Sequence, residues 1–134
     1  MKMLFLLLST FPSVYAIPIT IIKNSDLNFG SIIAGDPTRV IAPGTSENPQ
    51  NASFTIQGDP NVSFNVILPS TATILINGTG PQQLVVNSIT SNPSVAGTLN
   101  GAGTRSLYVG GSLNVPPATQ RGDYSGTFTV EVVY

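Results

Sequence analysis

Gly122-Asp-Tyr-Ser-Gly-Thr-Phe-Thr-Val-Glu-Val-Val-Tyr134 closes the chain and decides its class. Tyr124, Phe128, Val130, Val132 and Tyr134 fall on one parity, and Ser125, Thr127, Thr129 and Glu131 on the other. Successive side chains of a strand point to opposite faces, so the stretch reads as one half-buried β-strand with an apolar face. Only Gly126 and Val133 break the alternation. Burying one large apolar side chain contributes roughly 1.5–3 kcal/mol. Five of them together approach the ~5–15 kcal/mol net stability of a whole domain.

The same period of two recurs upstream. Ala52, Phe54 and Ile56 share a face, as do Val62, Phe64, Val66 and Leu68. A strand over 71–76 runs into Asn77-Gly78, a hairpin signal. The next strand, 84–89, ends before Asn92-Pro93. Leu107-Tyr108-Val109 leads into Gly110-Gly111, which marks a bulge or a close backbone approach. Nearer the start, 38–42 forms a short strand, and Leu27, Phe29 and Ile32 begin the first strand of the body, bent at Gly30. Gly35-Asp36-Pro37 and Gly58-Asp59-Pro60 write one turn twice, with Asp and Pro in the first two positions of a type I turn. No stretch shows a capped helical period. Strands and turns alternate at the roughly 8–12-residue spacing of a sandwich. The expected fold is all-β: an antiparallel β-sandwich, immunoglobulin-like in the broad sense.

Charged residues make up only 8% of the 134 residues, against about 25% in an ordinary soluble domain. Ser, Thr, Asn, Gln and Gly keep such a surface wetted, which suits an extracellular β protein. The net charge of −1 offers no basic footing for nucleic acid. There is no cysteine, so the core must hold without disulfides even in an oxidising compartment.

Residues 1–16 read as a secretory signal peptide. Lys2 gives a positive start, 3–8 an apolar run, and Val14 and Ala16 stand at the −3 and −1 positions of a cleavage site. The apolar run is far shorter than the ~20 residues a spanning helix needs, so no membrane span is expected after cleavage. Residues 17–26 form an extended arm or edge strand. Ile17, Ile19 and Ile21 share one face, and Pro18 donates no ladder bond. Residues 27–134 are the sandwich domain.

Chemistry is sparse. With neither histidine nor cysteine, the common triads and zinc sites are unavailable. The acids are Asp26, Asp36, Glu47, Asp59, Asp123 and Glu131, and none forms a motif for paired-carboxylate hydrolysis. Calcium ligation by Asp36 or Asp59 lacks a surrounding acidic cluster. No catalytic residue, metal site or cofactor is expected. Arg121-Gly122-Asp123 spells an integrin-recognition tripeptide but reads better as a turn before the last strand. Asn51-Ala-Ser, Asn61-Val-Ser and Asn77-Gly-Thr match glycosylation acceptors, a pattern that composition alone produces here. Tyr108, Tyr124 and Tyr134 are candidates for a carbohydrate-stacking surface. At strand parity, though, tyrosines more often belong to the core with the hydroxyl at its rim.

Leu27-Asn-Phe29-Gly30, Val109-Gly110-Gly111-Ser-Leu113-Asn-Val115 and the 122–134 ending resemble a bacterial secreted domain family of unknown function. That family is similar to the spore coat protein U domain and, more distantly, to chaperone–usher pilins. Pilin subunits are immunoglobulin-like sandwiches short of one strand, completed by β-strand addition from a chaperone or a neighbouring subunit. Their closing strand carries a Gly twelve residues before a near-terminal Tyr, matched by Gly122 and Tyr134. The resemblance implies an assembly strand of Gly122, Tyr124, Phe128, Val130, Val132 and Tyr134, and a donor arm of Ile17, Ile19 and Ile21. It implies self-association, or pairing with a periplasmic chaperone, through an edge strand.

The expected function is a non-enzymatic structural subunit of a bacterial coat or pilus-like fibre, secreted to the periplasm or the outer cell surface. A self-contained, adhesin-like binding module is the alternative. On the energetics of the closing stretch, deleting 128–134 is expected to abolish cooperative unfolding. A sharp thermal transition in the truncated chain would count against that.

Overall fold

The structure, a computed structural model, describes residues 17–134. The signal peptide expected over 1–16 lies outside these residues. Strands are β1 (Thr20–Ser25), β2 (Arg39–Ile41), β3 (Ala52–Gln57), β4 (Ser63–Ile67), β5 (Ala72–Ile76), β6 (Gln83–Asn92), β7 (Ala96–Thr98), β8 (Thr104–Leu113), β9 (Tyr124–Ser125) and β10 (Glu131–Val133). No helix is present among the described residues, so none there is long and apolar enough to cross a membrane.

Every strand pair is antiparallel. The larger sheet runs β1-β3-β8-β6-β5-β9, and β2 also pairs with β8. The smaller runs β10-β4-β7. Strand β8 organises the larger sheet. One edge pairs with β3 from Gln57↔Thr104 to Ala52↔Val109 and then with β2 from Ile41↔Gly111 to Arg39↔Leu113. The change of neighbour falls at Gly110, where an added Cβ would lie 2.0 Å from the Ile41 carbonyl oxygen. The Gly-Gly pair is thus a close backbone approach, one of its two expected meanings. On the other edge, the register with β6 slips between Asn87 and Thr90.

The two sheets share one core. Phe64, Val66 and Val132 of the small sheet pack in the same buried cluster as Ile56, Leu107, Val109, Val86 and Leu84 of the large one. The alternation read from the sequence selects these faces: Ala52, Phe54, Ile56, Phe64 and Val66 are all buried. The polar loop 43–51 hangs on a buried amide. Asn51 Nδ2 donates to the carbonyls of Pro43 (2.7 Å) and Ser46 (2.9 Å), and its Oδ1 accepts from the Asn48 backbone N–H (3.0 Å). Its burial removes Asn51 as a glycosylation acceptor in the folded chain.

Several expectations change. The closing stretch is not one strand. Tyr124–Ser125 pairs with β5 in the large sheet and Glu131–Val133 with β4 in the small one, while 126–130 belongs to neither. The change of sheet falls within 126–130, which opens on Gly126, where a Cβ would lie 2.4 Å from the Thr73 carbonyl oxygen. The parity survives: Val132 is buried, Tyr124, Phe128, Val130 and Tyr134 are half-buried, and 125, 127 and 129 are exposed. Leu27, Phe29 and Ile32 form no strand. Gly30 adopts φ +73° and its N–H bonds Asn28 Oδ1 at 2.8 Å, so an Asx turn replaces the extended backbone. Strand β7 was not expected, because Ala96-Gly-Thr98 carries no apolar signal. Gly97 pairs opposite Phe64, whose ring a Cβ would meet at 2.7 Å. Of the twin turns, the first shifts back by three positions, so that Asp36 is its last residue and not its first: Asp36 N–H bonds the Ile33 carbonyl at 3.0 Å, with Gly35 at φ +87°. In the second, Asn61 at φ +61° has the left-handed third position of type II rather than type I.

Both ends of the described chain meet at this second turn. The Ile17 N–H donates to Asp59 Oδ1 (3.0 Å), the Asp59 N–H donates to the Tyr134 hydroxyl (2.9 Å), and that hydroxyl donates to the Ile17 carbonyl. The three bonds close a ring. Gly58 allows it, since a Cβ there would lie 2.5 Å from the Tyr134 hydroxyl oxygen. Removing the hydroxyl orphans a part-buried N–H, which costs about 1–3 kcal/mol. Tyr134→Phe is therefore expected to lower the urea midpoint clearly. Tyr124→Phe, whose hydroxyl bonds the exposed Gln120 carbonyl, is expected to lower it far less. Equal, small shifts in the two variants would remove the ring from the account.

Candidate assembly groove

Part of the large sheet's inner face carries no strand of the small sheet. A groove of about 1120 Å³ runs over it. Its lining includes Ala52 and Phe54 of β3, Leu84 and Val86 of β6, and Ala72 and Ile74 of β5. Two further segments line it: 27–34, which follows β1 and holds no strand, and 119–130, which leads to β10 and holds only the two-residue β9. The local sequence accounts for both. The Asx turn at Asn28–Gly30 ends extension on one side, and the corner after Gly126 ends it on the other.

The groove is apolar at its base and polar at its rim. Phe54, Leu84 and Val86 are buried, whereas Ile74, Ala72, Phe128 and Val130 are only partly covered. At the rim Lys23 and Asp26 form an exposed ion pair of 2.8 Å, a contact that adds little to stability. The exposed backbone of Asp123 is held by the Asn77 N–H, which donates to its carbonyl at 2.6 Å. The Arg121-Gly122-Asp123 tripeptide is an exposed loop on the groove wall, bent at Gly122.

The residues singled out from the sequence divide between two places. Gly122, Tyr124, Phe128, Val130 and Ile21 line the groove. Val132 lies outside it, fully buried opposite Val66. Tyr134 and Ile17 form the hydrogen-bonded ring, and Ile19 is fully buried in the core. The arm 17–26 is folded into its own chain: β1 is an edge strand on β3, from Thr20↔Gln57 to Ser25↔Ser53. The base residues Ala52, Phe54, Leu84 and Val86 read from the sequence as ordinary core. Alternation reports which way a side chain points and not what covers it.

The remaining candidates resolve singly. Asp36 Oδ2 accepts the Ile33 N–H at 3.1 Å and Asp59 Oδ1 the Ile17 N–H, so both turn carboxylates cap backbone. Among the described residues no three His, Cys, Asp or Glu side chains gather as metal ligands. Tyr124 and Tyr134 pack against the core with bonded hydroxyls at its edge. Tyr108 departs from that reading. It is absent from the core cluster and instead lines a polar cleft of about 480 Å³ with Asn92, Asn100 and Arg105.

No curated protein matches the chain. A family profile described as a domain of unknown function, DUF4402, matches residues 19–134. That span holds all ten strands, the whole core cluster and both walls of the groove. The chain therefore belongs to the DUF4402 family.

Proposed function

We propose that the protein is a secreted, non-enzymatic structural subunit of a bacterial coat or pilus-like fibre, an immunoglobulin-like sandwich that assembles by β-strand addition. The observation that carries this reading is the groove. A strand-lined apolar floor lies open beside a segment, 126–130, that belongs to neither sheet. A segment outside both sheets, beside apolar side chains that are only partly covered, leaves room for an incoming strand. The resemblance to spore coat U domains and pilins points the same way.

The occupant is a second copy of this chain. Its N-terminal segment, with Ile17, Ile19 and Ile21 on one face, has the period-two apolar pattern of a donor. Because β1 already pairs with β3 in its own chain, donation is an exchange. The segment 26–33, which forms no strand, straightens as the hinge. In the acceptor, the slot left by its own β1 is continuous with the groove, since Ile21, Lys23 and Ser25 line both. A periplasmic chaperone would offer its edge strand to the same wall before assembly. The self-contained, adhesin-like reading draws support from one observation: β1 and the Ile17–Asp59–Tyr134 ring already close the domain on itself.

A reversible staple separates the two readings. The chain has no cysteine, so Thr20→Cys with Gln57→Cys, direct partners across β1 and β3, places a single disulfide where opposed strand residues are close enough to bridge. The unmodified protein is expected to run as a ladder of multimers on an unheated denaturing gel, collapsing on boiling. The oxidised double variant is expected to remain monomeric by light scattering, and to regain the ladder after reduction and refolding. A ladder in the oxidised form would exclude β1 as donor. Monomers under every condition would leave the binding-module reading in front.

A further inference from the structure

We infer that the maturation cut falls at the Ala16–Ile17 bond and that the ammonium it creates pairs with Asp59, fastening the new N-terminus into the ring. The inference rests on the reading of 1–16 as a signal peptide cut after Ala16, and it adds a partner for the amine that the cut creates.

The geometry begins at Ile17. Its nitrogen lies 3.0 Å from Asp59 Oδ1, and its carbonyl accepts the Tyr134 hydroxyl. Two residues on, Ile19 is fully buried. Both polar atoms of Ile17 are thus committed to the domain, while its side chain is 51% exposed. Ile17 is the first described residue, and the domain already holds it by both polar atoms. The sequence places Val14 and Ala16 at the −3 and −1 positions that a signal peptidase reads, immediately before it.

Hydrolysis changes what faces Asp59. Water adds across the Ala16–Ile17 peptide bond. Its oxygen stays with the Ala16 carbonyl carbon as a carboxylate, and the nitrogen departs with Ile17 as an α-amine, protonated near neutral pH. A neutral amide N–H bonded to a carboxylate becomes an ammonium bonded to it, and charge-assisted hydrogen bonds are roughly twice as strong as neutral ones. Among the described residues no lysine or arginine pairs with Asp59, so the new charge meets an unneutralised carboxylate. The nitrogen is already at hydrogen-bond distance, so no rearrangement of the turn is needed. The other two bonds of the ring, Asp59 N–H to Tyr134 and Tyr134 to Ile17, are unaffected by the cut.

Mass spectrometry of the processed protein, isolated from the periplasm or medium, reads its first residue. Ile17 is expected. The α-amine is then acetylated at near-neutral pH, where its pKa of about 7.7–8.0 lets it react while lysine, near 10.4, is protected. Urea unfolding of free and acetylated protein is compared in the wild type and in Asp59→Asn. Acetylation is expected to shift the unfolding constant of the wild type roughly two- to fivefold, the range of a partly exposed ion pair, and to leave that of Asp59→Asn unchanged. An equal shift in both backgrounds would overturn the pairing. A first residue other than Ile17 would overturn the assigned cut while leaving secretion intact. Recovery of the chain with residues 1–16 still attached would overturn the signal-peptide reading and this inference with it.

Discussion

Three hydrogen bonds in a ring, through Ile17, Asp59 and Tyr134, fix where the ends of the described chain lie. A neutral hydrogen bond contributes only about 0.5–1.5 kcal/mol net, so the ring does not hold the fold up. Burial of Ile56, Leu107, Val109, Phe64 and Val132 does that. What the ring contributes is position. It brings the first strand of the large sheet and the last strand of the small one together at one end, over the Gly58–Asp59 turn. Away from that point the two chain ends are free to diverge, and the groove lies between them.

The size of the gap follows from strand counting. Neighbouring strands are about 4.8 Å apart, so the six strands in the main order of the large sheet span roughly 24 Å, while the three of the small sheet span roughly 10 Å. Three strands cannot cover six. The difference is met in part by other chain: 27–34 after β1, and 119–130, which holds only the two-residue β9, line the same groove. Phe29, buried without belonging to any strand, shows how well one loop does this. Phe128 and Val130, only half-buried, show how much the other leaves undone.

How far this was readable from the sequence depends on the physical signal involved. Side-chain direction was legible wherever large apolar residues alternate, because the pleat has period two. Phe54, Ile56, Phe64 and Val66 face the core as the pattern says, whereas Val62, read on the same face as Phe64 and lying just before β4, is exposed. Strand pairing was not legible, because it depends on distant backbone. Nothing within Gly122–Tyr134 shows that its two halves join different sheets. Gly126 was visible as a break in the pattern, but its meaning rests on the Thr73 carbonyl beside it. Gly97 was invisible as part of a strand because its neighbour Phe64 supplies the packing it lacks. The groove itself was the least legible feature. Its floor is made of residues indistinguishable from core, and its existence is a property of the two sheets together.

The ring and the proposed exchange of β1 are compatible, and the reason constrains both. If β1 leaves β3 and the equivalent strand of a second copy takes its place, every contact of β1 is re-formed between chains: Ile19 in the core, the Thr20–Ser25 ladder, and Ile17 on Asp59 and Tyr134. Closed and exchanged forms therefore carry the same interactions, and the ring favours neither. The balance is left to what does differ. One such term is the hinge over 26–33, whose Asx turn at Asn28–Gly30 must open. Another is the groove beside 126–130, since the 27–34 segment that lines it moves with the hinge. Concentration is the third, since exchange trades an intramolecular contact for an intermolecular one. A fastened N-terminus thus does not oppose assembly. It raises the barrier to leaving either form, so that whichever is reached persists.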